Sequence, residues 1–329
     1  LTTEEPTYIR SFLDVCSKKN IDKVLFEASS IGIDQGRLDG MPIKHAVYLN
    51  LSRDHLDYHR NYESYLQAKR RLIENEELET LVFNADQPEF IDSLSNSNAK
   101  DVFQISNRNK SADIFYEIKN CDLTGNMKFI ARTPWGEFDA EAKILTEYNI
   151  FNLLASLPYF YSVGGDVPSF FQSLSSLSLP EGRLQKINER PIYIDYAHTP
   201  HALEQACKSL KNHENKLILV FGAGGDRDTG KRKQMGEVAD KYADEIIVTS
   251  DNPRNEDPAK IADMIIDGIS NESKIHIELD RSKAISRAID KMDGTSTLLV
   301  CGKGHEKNQI IGNNKFFFSD KEEIIKCIN

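Results

Sequence analysis

Arg254 closes the run Asp251-Asn252-Pro253-Arg254. Its planar guanidinium presents a fork of donors suited to a carboxylate, and Pro253 stiffens the loop that carries it. Glu306, in Gly302-Lys303-Gly304-His305-Glu306, can take an ammonium, while Gly302 and Gly304 allow close backbone approach. The two segments suit a zwitterionic amino acid. Asp251–Arg254 also reads as an ordinary turn, since Asn-Pro initiates turns. Lys69 carries a second chemistry. It shares a helical stripe with Tyr62, Tyr65, Leu66, Leu72 and Ile73, so it points toward the core side. One reading is a packed stem whose ammonium escapes to water. The other is an amine whose pKa falls on burial and which then reacts with CO₂. The resulting carbamate has two oxygens and could hold a hard cation with Glu27 and His55. His198, His201 and His305 read as loop or capping residues and are assigned no chemistry.

One motif match is a decoy. Gly225-Asp226-Arg227-Asp228-Thr229-Gly230-Lys231 fits G-x-x-x-x-G-K after a strand, but Arg232 stands where a P-loop needs Ser or Thr for Mg²⁺. Its two Asp side chains would also repel phosphate. Gly222, Gly224 and Gly225 do not make the dinucleotide fingerprint G-x-G-x-x-G. Nothing else in the chain matches a P-loop.

The elements that must position these residues come in two styles. A helix follows Pro6, and short strands are expected at Val24–Ala28, His45–Leu51 and Leu81–Phe83. A helix spans Tyr62 to Ile73. Residues 101–145 break into β-like runs such as Asp113–Ile118 and Met127–Ala131, and Asn149–Tyr161 is helical. The segment Ser173–Gly182, rich in Ser, Leu, Pro and Gly, marks a domain boundary and a candidate hinge, giving domains 1–180 and 181–329. Beyond it, strands at Ile192–Ile194, Leu217–Phe221, Glu245–Thr249, Lys274–Glu278 and Thr297–Val300 alternate with helices starting near His201, Lys231, Pro258 and Arg281. That alternation predicts an α/β, doubly wound, mostly parallel sheet. Asn314–Phe318 is expected as an edge strand before a terminal helix. The polar clusters fall at predicted strand ends, where parallel sheets bind ligands.

Composition narrows the class. The chain has 329 residues, 28% charged and 40% apolar, with 41 Lys+Arg against 51 Asp+Glu and a net charge of -10. Those values fit a globular protein of about two domains and argue against a broad nucleic-acid face. No apolar run reaches the roughly 18 residues of a membrane span. The five scattered cysteines form no C-x-x-C pair, which favours a reducing cytoplasm over a disulfide framework. The chain begins at Leu1 rather than Met and is expected to be a fragment or processed product.

With these residues in view, the sequence resembles the Mur ligases, specifically the branch that adds 2,6-diaminopimelate. The resemblance runs through Thr2-Thr3, Glu27-Ala28-Ser29-Ser30, Asp34-Gln35-Gly36-Arg37, Asn50 to His59, Ala68-Lys69, Asp195 to Pro200, Gly224 to Asp228, Asp251 to Arg254 and Gly302 to Glu306, in order. It implies a central ATPase-type α/β domain, here partial, followed by a Rossmann-like domain. It implies that ATP phosphorylates the D-Glu carboxylate of a UDP-linked muropeptide. The amine of meso-diaminopimelate then attacks the acyl phosphate, in peptidoglycan precursor synthesis. By the same resemblance Lys69 is the carbamylated lysine, with Glu27 and His55 as Mg²⁺ ligands. Lys69 and Arg227 take catalytic roles. Thr2, Thr3, Ser29, Gln35 and Arg37 contact the UDP-muropeptide. Arg227, Asp251, Asn252, Pro253, Arg254, Gly302 and Glu306 bind diaminopimelate, and Asn152, Arg183 and Asp195 face the nucleotide. A monomer is expected. The family's glycine-rich phosphate loop is not within the sequence, so these residues alone are expected to lack ligase activity. Leu1 stands where relatives often carry a polar residue, and Ile31 where many carry His. A ligase for lysine or glutamate and a non-catalytic binding fragment are the alternatives.

Overall fold

The computed structural model describes residues 3–52, 54–91, 97–121, 126–144, 146–211 and 215–328. The first sheet has six strands in the order β1-β2-β3-β4-β5-β6. Here β1 is His45–Tyr48, β2 Thr80–Asn84, β3 Asp101–Ser106, β4 Ile114–Cys121, β5 Asn126–Thr133 and β6 Gly136–Lys143. The pairs from β1 to β4 are parallel and those from β4 to β6 antiparallel. The helices of this half are α1 (Pro6–Lys18), α2 (Ser30–Asp34), α3 (Leu56–His59), α4 (Tyr62–Arg70), α5 (Pro88–Ile91), α6 (Glu147–Ser162) and α7 (Val167–Ser173). Helix α6 lies on the sheet through Ile150, Leu154 and Leu157, which meet Ile105, Phe129 and Ala131 in one buried cluster. Asn61 starts α4 by accepting the Ser64 N–H on its side chain, and Tyr65 and Leu66 then turn inward onto Tyr48 and Leu81.

The second sheet runs β11-β10-β9-β12-β8-β7. Its strands are β7 (Gln185–Lys186), β8 (Ile192–Asp195), β9 (Lys216–Phe221), β10 (Glu245–Val248), β11 (Ile275–Ile277) and β12 (Ser296–Cys301). Only β7 is antiparallel to its neighbour. Helices α8 (Pro200–Leu210), α9 (Gly230–Tyr242) and α10 (Pro258–Ile266) contribute to the core on one face, and α11 (Arg281–Asp290) and α12 (Asp320–Ile328) to the core on the other. Leu217 to Phe221 are fully buried, as a strand covered on both faces must be. Burying each such side chain contributes about 1.5–3 kcal/mol, so a polar replacement inside β9 would open the layers. Thr199, Asp257 and Asp280 each cap the helix that follows with a side-chain oxygen. Because β12 lies between β8 and β9, the loops after β9, β10 and β12 emerge side by side at the carboxyl edge.

Beneath that edge lies a buried ion pair. Arg281 donates from Nε and Nη2 to the two Asp320 oxygens, both at 2.7 Å, and neither side chain has exposed surface. The same guanidinium reaches the carbonyls of Cys301 (2.9 Å) and Ser250 (3.4 Å). It ties α11 and α12 to the residues that launch two of the site loops. On the connector between the sheets, Gly182 has φ +69°, and a Cβ there would stand 2.3 Å from the His305 amide nitrogen.

Two expected strands are corrected. Val24–Ala28 is not a strand: Leu25 and Phe26 are exposed, and no described strand pairs with them. An apolar run without a ladder partner does not make sheet. Asn314–Phe318 does not extend the main sheet either. Strand β14 (Asn314–Phe317) folds back on β13 (Asn308–Ile311) as a separate antiparallel hairpin, closed through Gly312 at φ +56°. Strand β1 also ends at Tyr48, short of Leu51. All five cysteines are free thiols. No described helix is long and apolar enough to cross a membrane.

Candidate functional site

The loops after β9, β10 and β12 bring one group of polar side chains together. Asp251 and Asn252 are buried and Arg254 is partly buried, at φ +50°. Arg254 Nη1 donates to the Gly225 carbonyl at 2.8 Å, which hangs it on the neighbouring loop. Arg227 is exposed and donates to its neighbour Asp226 O at 2.9 Å. Burial, and then the positive charge of Arg227, push the Arg254 pKa down. Two guanidiniums that repel one another are a place where a carboxylate is welcome. Facing them, Asn252 Nδ2 donates to Glu306 Oε2 at 3.0 Å. Gly302 has φ +114°, and a Cβ there would stand 2.4 Å from Asp251 Oδ2, so only glycine lets Asp251 sit where it does. The sequence-expected residues Arg227, Asp251, Asn252, Pro253, Arg254, Gly302 and Glu306 are therefore brought to one edge.

The decoy loop has a structural job. Arg232 is fully buried and grips both Glu256 oxygens at 2.8 Å and the Gly224 carbonyl at 3.1 Å. It pins the Gly224–Asp228 loop against the loop that carries Arg254. Lys231, also buried, places Nζ 3.9 Å from Asp54 Oδ1 in the first half. His198 Nε2 lies 3.8 Å and His55 Nε2 3.7 Å from Asp54 Oδ2. Burial alone would raise the Asp54 pKa. The nearby His198 imidazole and the charges of His55 and Lys231 instead hold its carboxyl well below the usual range. Burial pushes Lys231 down, with Asp54 opposing. Sequence reasoning missed Asp54, Lys231 and His198. The signals were Asp54 beside His55 and a lysine inside a rejected motif.

Lys69 is partly buried on α4, its Nζ 5.5 Å from the centre of the Tyr65 ring. Burial lowers its pKa while Glu27 and Asp54 pull the other way. Glu27 is exposed on the irregular segment before α2, not at a strand end as expected, and His55 sits at φ +55° at the start of α3. Among the described residues no group of three His, Cys, Asp or Glu can hold a metal ion unaided. Glu27 and His55 are donor types that a hard cation accepts, and a carbamate on Lys69 would add two oxygens. A carbamate beside two carboxylates needs a cation for charge balance, and a cation there needs a carbamate in place of an ammonium.

Thr3, Ser29, Gln35 and Arg37 form one linked group. Thr3 Oγ1 donates to Glu27 O at 3.0 Å and accepts from Ser29 N at 2.8 Å. Arg37 donates to Thr3 O and to Gln35 Oε1, each at 2.6 Å. Thr2 lies outside the described residues. On the other side, Arg183 stacks over Tyr196 at 4.6 Å and keeps a buried Nη1 without a partner. Both Asp195 oxygens accept backbone N–H groups, from Leu184 and Ala197 at 2.7 Å, so this carboxylate shapes the loop. Asn152 is exposed on α6, one turn beyond Tyr148, whose pKa burial and then Asp195 push up. Asn149, three residues before Asn152, carries a buried amide nitrogen without a partner and was not foreseen.

Comparison with known proteins agrees along the whole chain. The family pattern described as the Mur ligase middle domain matches residues 1–159, and that described as the Mur ligase glutamate ligase domain matches 182–304. A Rickettsia montanensis protein named UDP-N-acetylmuramoyl-L-alanyl-D-glutamate–2,6-diaminopimelate ligase is 39% identical across 100% of this chain and 69% of its own. A Haemophilus influenzae protein of the same name is 36% identical over 98% of this chain and 67% of its own. A solved structure with that name superposes with TM-score 0.58 and 37% identity, covering 92% of this chain and 63% of that one. The MurF ligase of Thermotoga maritima in complex with ADP shares the fold, with TM-score 0.65 at 16% identity, over 91% of this chain and 64% of that one.

Proposed function

The chain belongs to the Mur ligase family of ATP-dependent amide ligases, and from that we propose that it carries the amino-acid half of a diaminopimelate-adding ligase. The reaction joins the D-Glu carboxylate of a UDP-linked muropeptide to the amine of meso-diaminopimelate in peptidoglycan precursor synthesis. The observation that carries this reading is the opposed arrangement of Arg227 and Arg254 against Asp251 and Glu306. Cations and carboxylates gathered at one sheet edge suit a ligand that carries both a carboxylate and an ammonium.

The residues divide the work. Arg254, and Arg227 in a catalytic position beside it, hold the carboxylate of the incoming amino acid. Glu306, with Asp251 and Asn252 behind it, holds the ammonium, and Pro253 and Gly302 shape the floor. Thr3, Ser29, Gln35 and Arg37, with Thr2, receive the UDP-muropeptide. Asn152, Arg183 and Asp195 line the nucleotide side, where the unpartnered Arg183 Nη1 supports an anionic ligand. Glu27, His55 and a carbamylated Lys69 would hold Mg²⁺. When bound, the ion neutralises phosphate and carboxylate oxygens during transfer. We place the division between domains at 180/181, in the connector between α7 and β7, and the protein in the cytoplasm.

Lysine lacks the second carboxylate of diaminopimelate and would leave Arg254 unpaired, at a cost on the order of 1–3 kcal/mol. Calorimetric titration with meso-diaminopimelate and with L-lysine tests this. Diaminopimelate should bind at least about tenfold tighter, and Arg254→Ala should remove most of that preference. Equal affinities, or an unchanged preference in Arg254→Ala, would overturn the reading.

A further inference from the structure

Lys303 has no exposed surface, although it lies in a loop between glycines at the carboxyl edge of the second sheet. Its Nζ donates to Asn252 Oδ1 at 3.1 Å and to Glu306 Oε2 at 3.3 Å, and stands 3.9 Å from Asp251 Oδ1. Asn252 Oδ1 also accepts the Ile310 N–H at 3.0 Å. With two donors on its oxygen, the Asn252 amide has one orientation, and its Nδ2 must point to Glu306. Both of these hydrogen bonds to Glu306, from Lys303 and from Asn252, end on Oε2. Oε1 of Glu306, a partly exposed residue, accepts neither of them.

We infer that Lys303 is a positioning residue for the amino-acid substrate, acting through Glu306 and Asn252; this rests on the functional reading above. Its charge matters as much as its bonds. Asp251 and Glu306 each bring a negative charge, 3.9 Å and 3.3 Å from Lys303 Nζ. With Lys303 the group carries one net negative charge, which matches one incoming ammonium. An unfixed Asn252 amide would be free to turn its oxygen, rather than its Nδ2, toward Glu306. Burial holds the Lys303 ammonium on Oε2, which leaves Oε1 for the substrate.

A double-mutant cycle read by calorimetry with meso-diaminopimelate tests the inference. Lys303→Met should weaken binding by about tenfold or more, as should Glu306→Gln. If Lys303 acts through Glu306, adding Lys303→Met to Glu306→Gln should cost no more than about threefold further. Full additivity, or Lys303→Met within about twofold of the parent, overturns it. A parent chain that does not bind diaminopimelate sinks the functional reading and this inference with it. A binding parent with an insensitive Lys303 sinks the inference alone. If Lys303→Met shows no cooperative thermal transition, the parent labelled with ¹⁵Nζ-lysine decides. The ammonium signal displaced by Glu306→Gln must then also move when diaminopimelate is added. A signal that stays put overturns the inference.

Discussion

Replacing Arg281 with Met should destabilise the second sheet by about 3–5 kcal/mol, because it removes one partner of a fully buried ion pair. The loss has two sources. Asp320 would remain as a buried carboxylate stripped of two 2.7 Å donors. The Cys301 carbonyl would lose its 2.9 Å donor, worth about 1–3 kcal/mol if no water replaces it, and Ser250 a weaker one at 3.4 Å. With a urea m-value of about 2.5 kcal/mol/M, the unfolding midpoint should fall by roughly 1–2 M. Trp135 is the sole tryptophan and stacks near Phe103 and Tyr161 in the first half. Its fluorescence therefore follows the first sheet, while circular dichroism follows both. The dichroism transition should move to lower urea ahead of the fluorescence. Arg281→Met with Asp320→Leu should recover much of the loss, since a buried pair replaced by apolar groups is often neutral. A single variant within about 1 kcal/mol of the parent, or a double variant no better than the single one, would refute the reasoning.

Three further outcomes are expected. The Asp54 carboxyl is held low in the folded chain, so its contribution is full above its unfolded value of about 3.9 and lost as pH falls through the folded value. Asp54→Asn should cost about 1 kcal/mol near neutrality and flatten the acid limb of stability below pH ~4; an unchanged limb counts against it. Burial lowers the Lys69 pKa, so ¹³C-bicarbonate should give a carbamate signal that grows with pH, as the neutral amine does, and that Lys69→Arg abolishes. A signal that persists in Lys69→Arg means another site. The 329 residues alone should not turn over ATP in a diaminopimelate-dependent assay, because the sequence holds no complete phosphate-cradling P-loop; measured turnover refutes this.

The second half was legible because its physics is local. A strand covered on both faces is an apolar run, as in Leu217–Phe221, and Thr199-Pro200 or Asp257-Pro258 announces the helix that follows. The first half was less so. Strand β6 alternates charged and apolar residues, but its inward positions are mostly small and only half-buried, and β3 has an exposed start. Val24–Ala28 had the composition of a strand, but pairing is a property of neighbours that composition does not carry. In the site, motifs located the loops but not their contacts. Arg254 meeting Gly225 and Asp54 meeting Lys231 are long-range events set by how strands are ordered. Lys303 stood in a quoted motif, yet burial is what gives it a role.

Gly182 does no chemistry, yet it leans on the backbone of Gly304 and His305, beside Glu306. An alanine there would have to push that stretch aside. The tether between the two sheets is thus a spacer that limits how close the Gly304–His305 backbone can come to it. A single added methyl on the tether would therefore register first as a displaced loop ahead of Glu306.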